Sequence, residues 1–314
     1  MRKLAPQLEK WLQSYNQLIE KLVAEGFKQT PTNTREGLAN LTRTWIKKSV
    51  PVKWVQDDLV ESKEFNVPIR IYHPQPERPL PLLVYFHGGG GMAGSITVYD
   101  PICRRLAKTA NHIVISVDYR LAPECPYPAG ITDAMTVVRN VWAPLEERKV
   151  NYTHQLSIAG DSGGGAICAT ISHMSQADES VDIRRQVLIY PSLDYTQKSE
   201  SMDLSGNGYL LHKDKVTWYF DNYFQNNEDR KAVSPLYMPG LRSIPETLLI
   251  SAEFCPLRDE GLAYLQRLSK AGIKTEHFHF DDMIHAFLNL EDLVPDKCLL
   301  VYQKIAAFLN ADTC

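Results

Sequence analysis

The 314-residue chain has little that would take it out of an ordinary soluble compartment. Its nearest approach to a membrane span, the apolar run around Leu82–Phe86, is far shorter than the ~20 residues a spanning helix needs. The N-terminus, MRKLAPQLEKWLQSYNQLIE, opens on a basic pair but lacks the apolar core and small-residue cleavage site of a secretory leader, so no signal peptide is expected. Charge of one sign is also lacking. A formal net charge of -3 leaves no electrostatic footprint for nucleic acid, and the Lys47-Lys48 pair reads as a solvated face. The six cysteines (Cys103, Cys125, Cys168, Cys255, Cys298, Cys314) form no CxxC pair and have no histidine at zinc spacing. Reduced thiols in a cytoplasmic protein are therefore expected, with no structural metal. There is no internal repeat and no low-complexity tract. What remains, 44% hydrophobic and 23% charged residues, is the make-up of a globular enzyme, and one large α/β unit accommodates this length.

The first segment reads as a helix. Leu4, Leu8, Trp11, Leu12, Tyr15, Leu18, Ile19, Leu22 and Val23 recur at steps of three and four, and Gly26 ends the stripe. After a break at Pro31-Thr32-Asn33, the segment from Thr34 to Ile46 suits a second helix. From residue 53 the pattern changes to short apolar runs: 54–60, 67–72, 82–86, 113–117, 156–159, 187–190, 248–251 and 275–280. Helical stretches over roughly 99–110, 131–142, 164–176, 259–271 and 296–309 alternate with the later runs. That alternation predicts a mostly parallel eight-stranded sheet with helices on both faces, and the short links among the first three runs predict an antiparallel start. More than fifty residues separate Tyr190 from Leu248, and they hold an aromatic helix, Trp218-Tyr219-Phe220 through Tyr223-Phe224. An insertion of this length suits a lid or binding loop over an apolar or aromatic pocket, although its rings also suit packing on one another.

Three features carry chemistry. Gly160-Asp161-Ser162-Gly163-Gly164 follows an expected strand and opens a helix, the context a nucleophile elbow requires. Its glycines let the turn be sharp enough to hold the serine oxygen above the sheet, and the helix start behind it favours developing negative charge. Next, His87-Gly88-Gly89-Gly90-Gly91 directly follows another strand. Its bare backbone N–H groups suit a tetrahedral oxyanion, together with that of Gly163. No GKS follows, so a nucleotide loop is not expected, and His87 is read as shaping the turn. Last, His285 lies just beyond the final strand, where the base of this fold falls in chain order. Among the other histidines, His277 and His279 lie within the strand, and His173 and His212 on helices or at their ends.

With these motifs in order, the chain resembles the hormone-sensitive-lipase-like esterase family of the α/β-hydrolase fold from about residue 80 onward. The resemblance rests on His87-Gly88-Gly89-Gly90, Asp118-Tyr119-Arg120-Leu121-Ala122-Pro123-Glu124, Gly160-Asp161-Ser162, Gly208-Tyr209-Leu210-Leu211, the segment 256–261 and His285. It implies N-terminal cap helices over 1–50, a hydrolase core over 51–190 and 241–314, and a cap insertion over 191–240. It also implies hydrolysis of short to medium acyl esters without metal or cofactor, with Gly89, Gly90 and Gly163 as oxyanion donors and a small-molecule ester as the only necessary partner. A homodimer is left open, as is transfer of the acyl group to an acceptor other than water.

The resemblance also marks a departure. The family's triad acid falls, in this chain, at Cys255 within Ala252-Glu253-Phe254-Cys255-Pro256-Leu257-Arg258-Asp259-Glu260-Gly261. That acid holds the imidazole in its working tautomer, and a neutral replacement costs about 10⁴ in turnover in the best-studied triad. Three readings follow: Cys255 ionises beside His285; Glu253, Asp259 or Asp282 substitutes; or turnover is weakened and the pocket serves for binding, as in the plant gibberellin receptors of this family. Those receptors depart at the histidine, which this chain keeps. A second departure is Cys125, where relatives usually carry histidine.

Overall fold

Each of the eight apolar runs becomes a strand of one sheet in the computed structural model, which describes residues 2–311; Cys314 lies outside the described residues. The strands are β1 (Trp54–Val60), β2 (Val67–His73), β3 (Leu80–Phe86), β4 (Ile113–Val117), β5 (Tyr152–Asp161), β6 (Ile183–Ile189), β7 (Glu246–Phe254) and β8 (Thr275–Ile284). β3 and β4 are buried almost throughout, because helices cover both faces and no side needs to be polar. β5 begins four residues before the apolar run suggested. Its leading residues, Tyr152 to Gln155, are partly or fully exposed and carry no apolar signal. β6 ends at Ile189; Tyr190 leaves the ladder at φ +35°.

The strand order is β1-β2-β4-β3-β5-β6-β7-β8. β2 pairs antiparallel with both β1 and β4, and every other neighbouring pair is parallel. The expected antiparallel start is thus corrected in one respect. β3 does not join it, since β4 inserts between β2 and β3 and pairs parallel with β3.

The helices are α1 (Pro6–Ala24), α2 (Pro31–Trp45), α3 (Ile96–Ala110), α4 (Ala129–Asn140), α5 (Trp142–Glu147), α6 (Gly163–Ser175), α7 (Glu200–Ser205), α8 (Lys213–Tyr223), α9 (Arg258–Lys270) and α10 (Pro295–Leu309). A 3₁₀ segment spans Phe287–Leu293. α5, α7 and the 3₁₀ segment carry too few residues for a period to show in the sequence. Pro31-Thr32-Asn33, read as a break, is instead the first turn of α2. The Thr30 hydroxyl accepts from the Asn33 N–H at 3.2 Å, while the Asn33 side chain accepts from the Thr30 N–H at 2.8 Å. Proline at the first helical position costs nothing, because that N–H has no partner in any helix.

α3 and α10 join one apolar core, on one face of the sheet; α4, α6 and α9 join the other. The crossover from β3 runs to β4, and that from β5 runs the opposite way to β6. Between the two strands, at their carboxyl ends, lies the crevice where open α/β sheets bind ligands. α1 is divided along its length. Leu8 and Leu12 are buried, each worth about 1.5–3 kcal/mol, whereas Leu18 and Val23 remain 53% and 61% exposed. Two contacts hold it: the Ala5 N–H donates to the Asp282 carbonyl, and the Asn16 amide to the Gly208 carbonyl. The second of these ties the N-terminal helix to the insertion after β6.

Candidate active site

Ser162 sits between the last residue of β5 and the first of α6, with φ +52° and ψ −118°. A non-glycine residue held there stores about 1–3 kcal/mol of strain, which the surroundings must impose. They do so by close backbone approach. A Cβ on Gly160 would come within 2.4 Å of the Gly164 carbonyl, and one on Gly164 within 1.9 Å of the Phe86 carbonyl oxygen, so no side chain fits at either position. The Ser162 N–H donates to the Ile189 carbonyl at 2.9 Å and fixes the turn to the neighbouring strand.

His285 follows β8 directly, and Cys255 follows β7 directly; the two strands are parallel neighbours, so their ends bring both residues to Ser162. His285 Nε2 lies 2.9 Å from Ser162 Oγ, and His285 Nδ1 lies 3.1 Å from Cys255 Sγ. The Leu257 N–H also points at that sulfur, at 3.4 Å. Burial, assisted by the positive charge of Lys215, holds the imidazole down to about 3. Burial likewise pushes the Cys255 thiol well above its ordinary value. Burial thus favours the neutral form of both groups.

That burial weighs against the first of the three readings of Cys255, an ionised thiolate. The second fails on geometry. Glu253 is engaged with Arg2 at 2.6 Å, Arg258 at 2.8 Å and His279 at 3.2 Å. Asp259 pairs with Arg258 and accepts from the Ser201 N–H, both at 2.8 Å, and Asp282 pairs with Lys297 at 2.7 Å. None of the three reaches His285. A neutral thiol can give its proton to Nδ1 or accept one from it. In the first case Nε2 carries the hydrogen and cannot take the serine proton; only the second tautomer suits a general base.

The loop after β3 lies against the elbow. The Asp161 carboxylate accepts from Tyr85 Oη at 2.8 Å, Tyr99 Oη at 3.1 Å and the Gly88 N–H at 2.8 Å, anchoring the loop to the residue beside Ser162. Burial outweighs these bonds and pushes its carboxyl up to about 6. A Cβ on Gly163 would stand 3.0 Å from the Gly90 nitrogen, so the two backbones are adjacent. The N–H groups of Gly89, Gly90 and Gly163 donate to no protein acceptor among the described residues. His87 is buried between Tyr99 and Tyr119, its ring centroid 5.3 and 4.4 Å from theirs, with Nδ1 2.9 Å from the Gly88 carbonyl: a turn-shaping residue.

Above Ser162 opens a cavity of about 720 Å³ whose walls come from α1, α2 and α8. Arg35 of α2 fastens this roof: its guanidinium donates to the carbonyls of Met92 and Ala122, both at 2.9 Å, and pairs with Glu124 at 2.5 Å. The same motif folds through Arg120, which pairs with buried Asp133 at 2.7 Å. The rings of the aromatic helix serve both purposes foreseen for them. Phe220 and Tyr223 line the cavity and also pack on Tyr195 and Tyr127 respectively. His277 and His279 flank Ser251 on β7, each 2.8 Å from its hydroxyl; His173 lies on α6 and His212 immediately precedes α8, and neither hydrogen-bonds Ser162. Cys125 is a free, partly buried thiol that nothing in the structure explains. Among the described residues no group of histidine, cysteine and carboxylate side chains is arranged to hold a metal ion, and no helix is long and apolar enough to cross a membrane.

Sequence reasoning passed over three residues of the site. Asp161 stands inside the elbow motif, and its place beside the nucleophile was the available signal. Arg35 and Lys215 carry none, because each reaches the site from a helix remote in sequence.

A family profile described as the alpha/beta hydrolase fold matches residues 83–289. Carboxylic ester hydrolase LipN of Mycobacterium tuberculosis is 34% identical over 73% of this chain, a match that spans only 62% of LipN itself. Carboxylesterase NlhH of the same species is 32% identical over 78% of this chain and 79% of its own length. Among solved structures, a hyperthermophilic esterase from the archaeon Pyrobaculum calidifontis superposes with a TM-score of 0.88 at 29% identity, covering 98% of both chains.

Proposed function

This chain belongs to the hormone-sensitive-lipase-like family of α/β-hydrolases, and on that footing we propose that it hydrolyses carboxylic esters of short to medium acyl chains through Ser162. The observation that carries the reading is the 2.9 Å contact between Ser162 Oγ and His285 Nε2 at the floor of the cavity. Ser162 Oγ attacks the ester carbonyl while His285 Nε2 takes its proton. The carbonyl oxygen becomes an oxyanion, which accepts from the N–H groups of Gly89, Gly90 and Gly163. His285 then returns the proton to the departing alcohol, leaving an acyl-serine. Water, deprotonated by His285, attacks the acyl carbon and releases the acid and free Ser162.

Cys255 is the weakened member. It meets Nδ1 as a neutral thiol, so the imidazolium formed in each step has no counter-charge at its back. Slow turnover follows, and a chain that binds esters or acids tightly but turns them over poorly is the second reading this residue favours. The segments 1–50 and 191–240 act as the cap, on the evidence that α1, α2 and α8 wall the cavity. The cytoplasm is the proposed compartment, which the five free cysteines among the described residues support.

Hydrolysis of 4-nitrophenyl acetate and butyrate tests the reading. Weak activity is expected from the unaltered chain and none above background from Ser162→Ala. Activity that survives Ser162→Ala would place the reaction elsewhere.

A further inference from the structure

One charged group in the cavity has no part in the reaction just described. Lys215, in the first turn of α8, extends its side chain into the space shared with Ser162 and His285 and is only partly exposed. Its ammonium has no carboxylate or hydrogen-bond partner among the described residues, and burial lowers its pKa from the ordinary lysine value; its nearest contact of note is the face of Tyr219, with Nζ 5.9 Å from the ring centroid. The Tyr219 ring in turn covers the oxyanion loop, where a Cβ on Gly90 would come within 2.8 Å of it. The ammonium thus lies about one ring away from the donors that meet the substrate carbonyl. Of the two carboxylates that border the cavity, Asp161 is occupied by its three donors, and Asp214 is exposed and forms no ion pair with Lys215.

An unpaired cation in a largely apolar pocket is costly unless an anion joins it. A ligand entering the cavity can supply that anion. We propose that the site selects esters bearing a second, anionic group, such as the half-esters of dicarboxylic acids or esters of a hydroxy-acid, with Lys215 as the residue that receives that group. The proposal rests on the ester-hydrolase reading for its chemistry, and it accounts for a weakness in that reading. The imidazolium of His285 forms with neutral Cys255 behind it and a cation near it, the charge of Lys215 adding to burial in disfavouring the protonated ring. A substrate anion on Lys215 cancels that repulsion during the reaction. Selectivity then acts on kcat as well as on KM.

The test uses matched ester pairs: 4-nitrophenyl hexanoate against mono-4-nitrophenyl glutarate for the acyl arm, and the butyryl esters of methyl 4-hydroxybenzoate and of 4-hydroxybenzoate for the alcohol arm. With each rate divided by its uncatalysed rate, kcat/KM for the anionic member of at least one pair is expected to exceed that of the neutral member by tenfold or more. Lys215→Met lowers that ratio at least tenfold, and Lys215→Arg retains most of it, which a merely structural lysine would not do. Equal ratios in the unaltered chain and Lys215→Met overturn the proposal. If no ester is turned over, even by Cys255→Asp, the hydrolase reading fails on its own, and calorimetric titration with monomethyl glutarate decides the anion site. Binding that weakens tenfold in Lys215→Met supports it, and binding unchanged by Lys215→Met, or absent from both proteins, overturns it.

Discussion

Replacing Cys255 with aspartate should convert a slow site into a fast one. The sulfur lies 3.1 Å from His285 Nδ1 and receives the Leu257 N–H at 3.4 Å. A carboxylate reaches slightly further from Cβ than sulfur does, so one oxygen comes to about 2.8 Å from Nδ1 while the Leu257 N–H faces the other. Two donors then meet the buried charge, and the Nδ1–H tautomer becomes the only favourable one. A neutral group in place of the acid costs about 10⁴ in turnover, or about 5.4 kcal/mol at about 1.36 kcal/mol per decade. The thiol keeps some capacity to accept, so kcat of Cys255→Asp should rise by about 10²–10⁴. The new anion also favours the imidazolium and raises the His285 pKa by about 1–3 units, which moves the acid limb of the rate profile to higher pH by that amount. Initial rates of 4-nitrophenyl butyrate hydrolysis from pH 4 to 8 measure both effects. A variant with an unchanged melting temperature and an unchanged kcat would refute the assignment of Cys255 to the acid position.

Two further outcomes follow from burial. Brief treatment of the native chain with iodoacetamide should modify Cys125 ahead of Cys103, Cys168, Cys255 and Cys298, which are buried, and should leave the hydrolysis rate intact; peptide mass spectrometry showing early carboxamidomethyl-Cys255 would contradict a neutral, enclosed thiol. Asp161 has its carboxyl held up to about 6 by burial, so the folded state retains a proton that the unfolded chain releases near its ordinary, lower pKa. The sign is then fixed: this group's contribution is fullest below the unfolded value and is lost as pH rises through about 6, by about 3 kcal/mol in all. Denaturant melts of the unaltered chain and of Asp161→Asn should therefore diverge between pH 4 and 7, the unaltered chain losing stability relative to the variant; parallel curves would sink this reading of Asp161.

Most of the architecture could be read because the central strands satisfy a single demand, burial on both faces, and so carry apolar runs such as Leu82–Phe86. The elbow was legible for a different reason: strand, glycines, serine and helix are contiguous, and steric necessity at Gly160 and Gly164 is written in the residues themselves. Partnership across the fold was not legible. That β4 rather than β3 lies beside β2 depends on long-range pairing that no local pattern encodes. The engagement of Glu253 with Arg2 and Arg258, which removes it from consideration as a substitute acid, likewise joins it, through Arg2, to a residue far away in the chain. The protonation state of Cys255 turns on its enclosure, and a sequence records the thiol but not the dryness around it.

The division of α1, seated on the core at Leu8 and Leu12 yet open to solvent at Leu18 and Val23, has a consequence for how such an enzyme can change. The elbow tolerates no side chain at its glycines, so its chemistry is inherited whole or lost. The roof is joined to it by a handful of polar fastenings, among them Arg35 and Asn16, and its inner surface consists of side chains from three helices. Substitutions along the outer half of α1 or the first turn of α8 can therefore redraw what enters the cavity without touching the strained turn below. Diversification of substrate and conservation of reaction are assigned to different stretches of the same chain, and a laboratory wishing to alter one has a physical reason to leave the other alone.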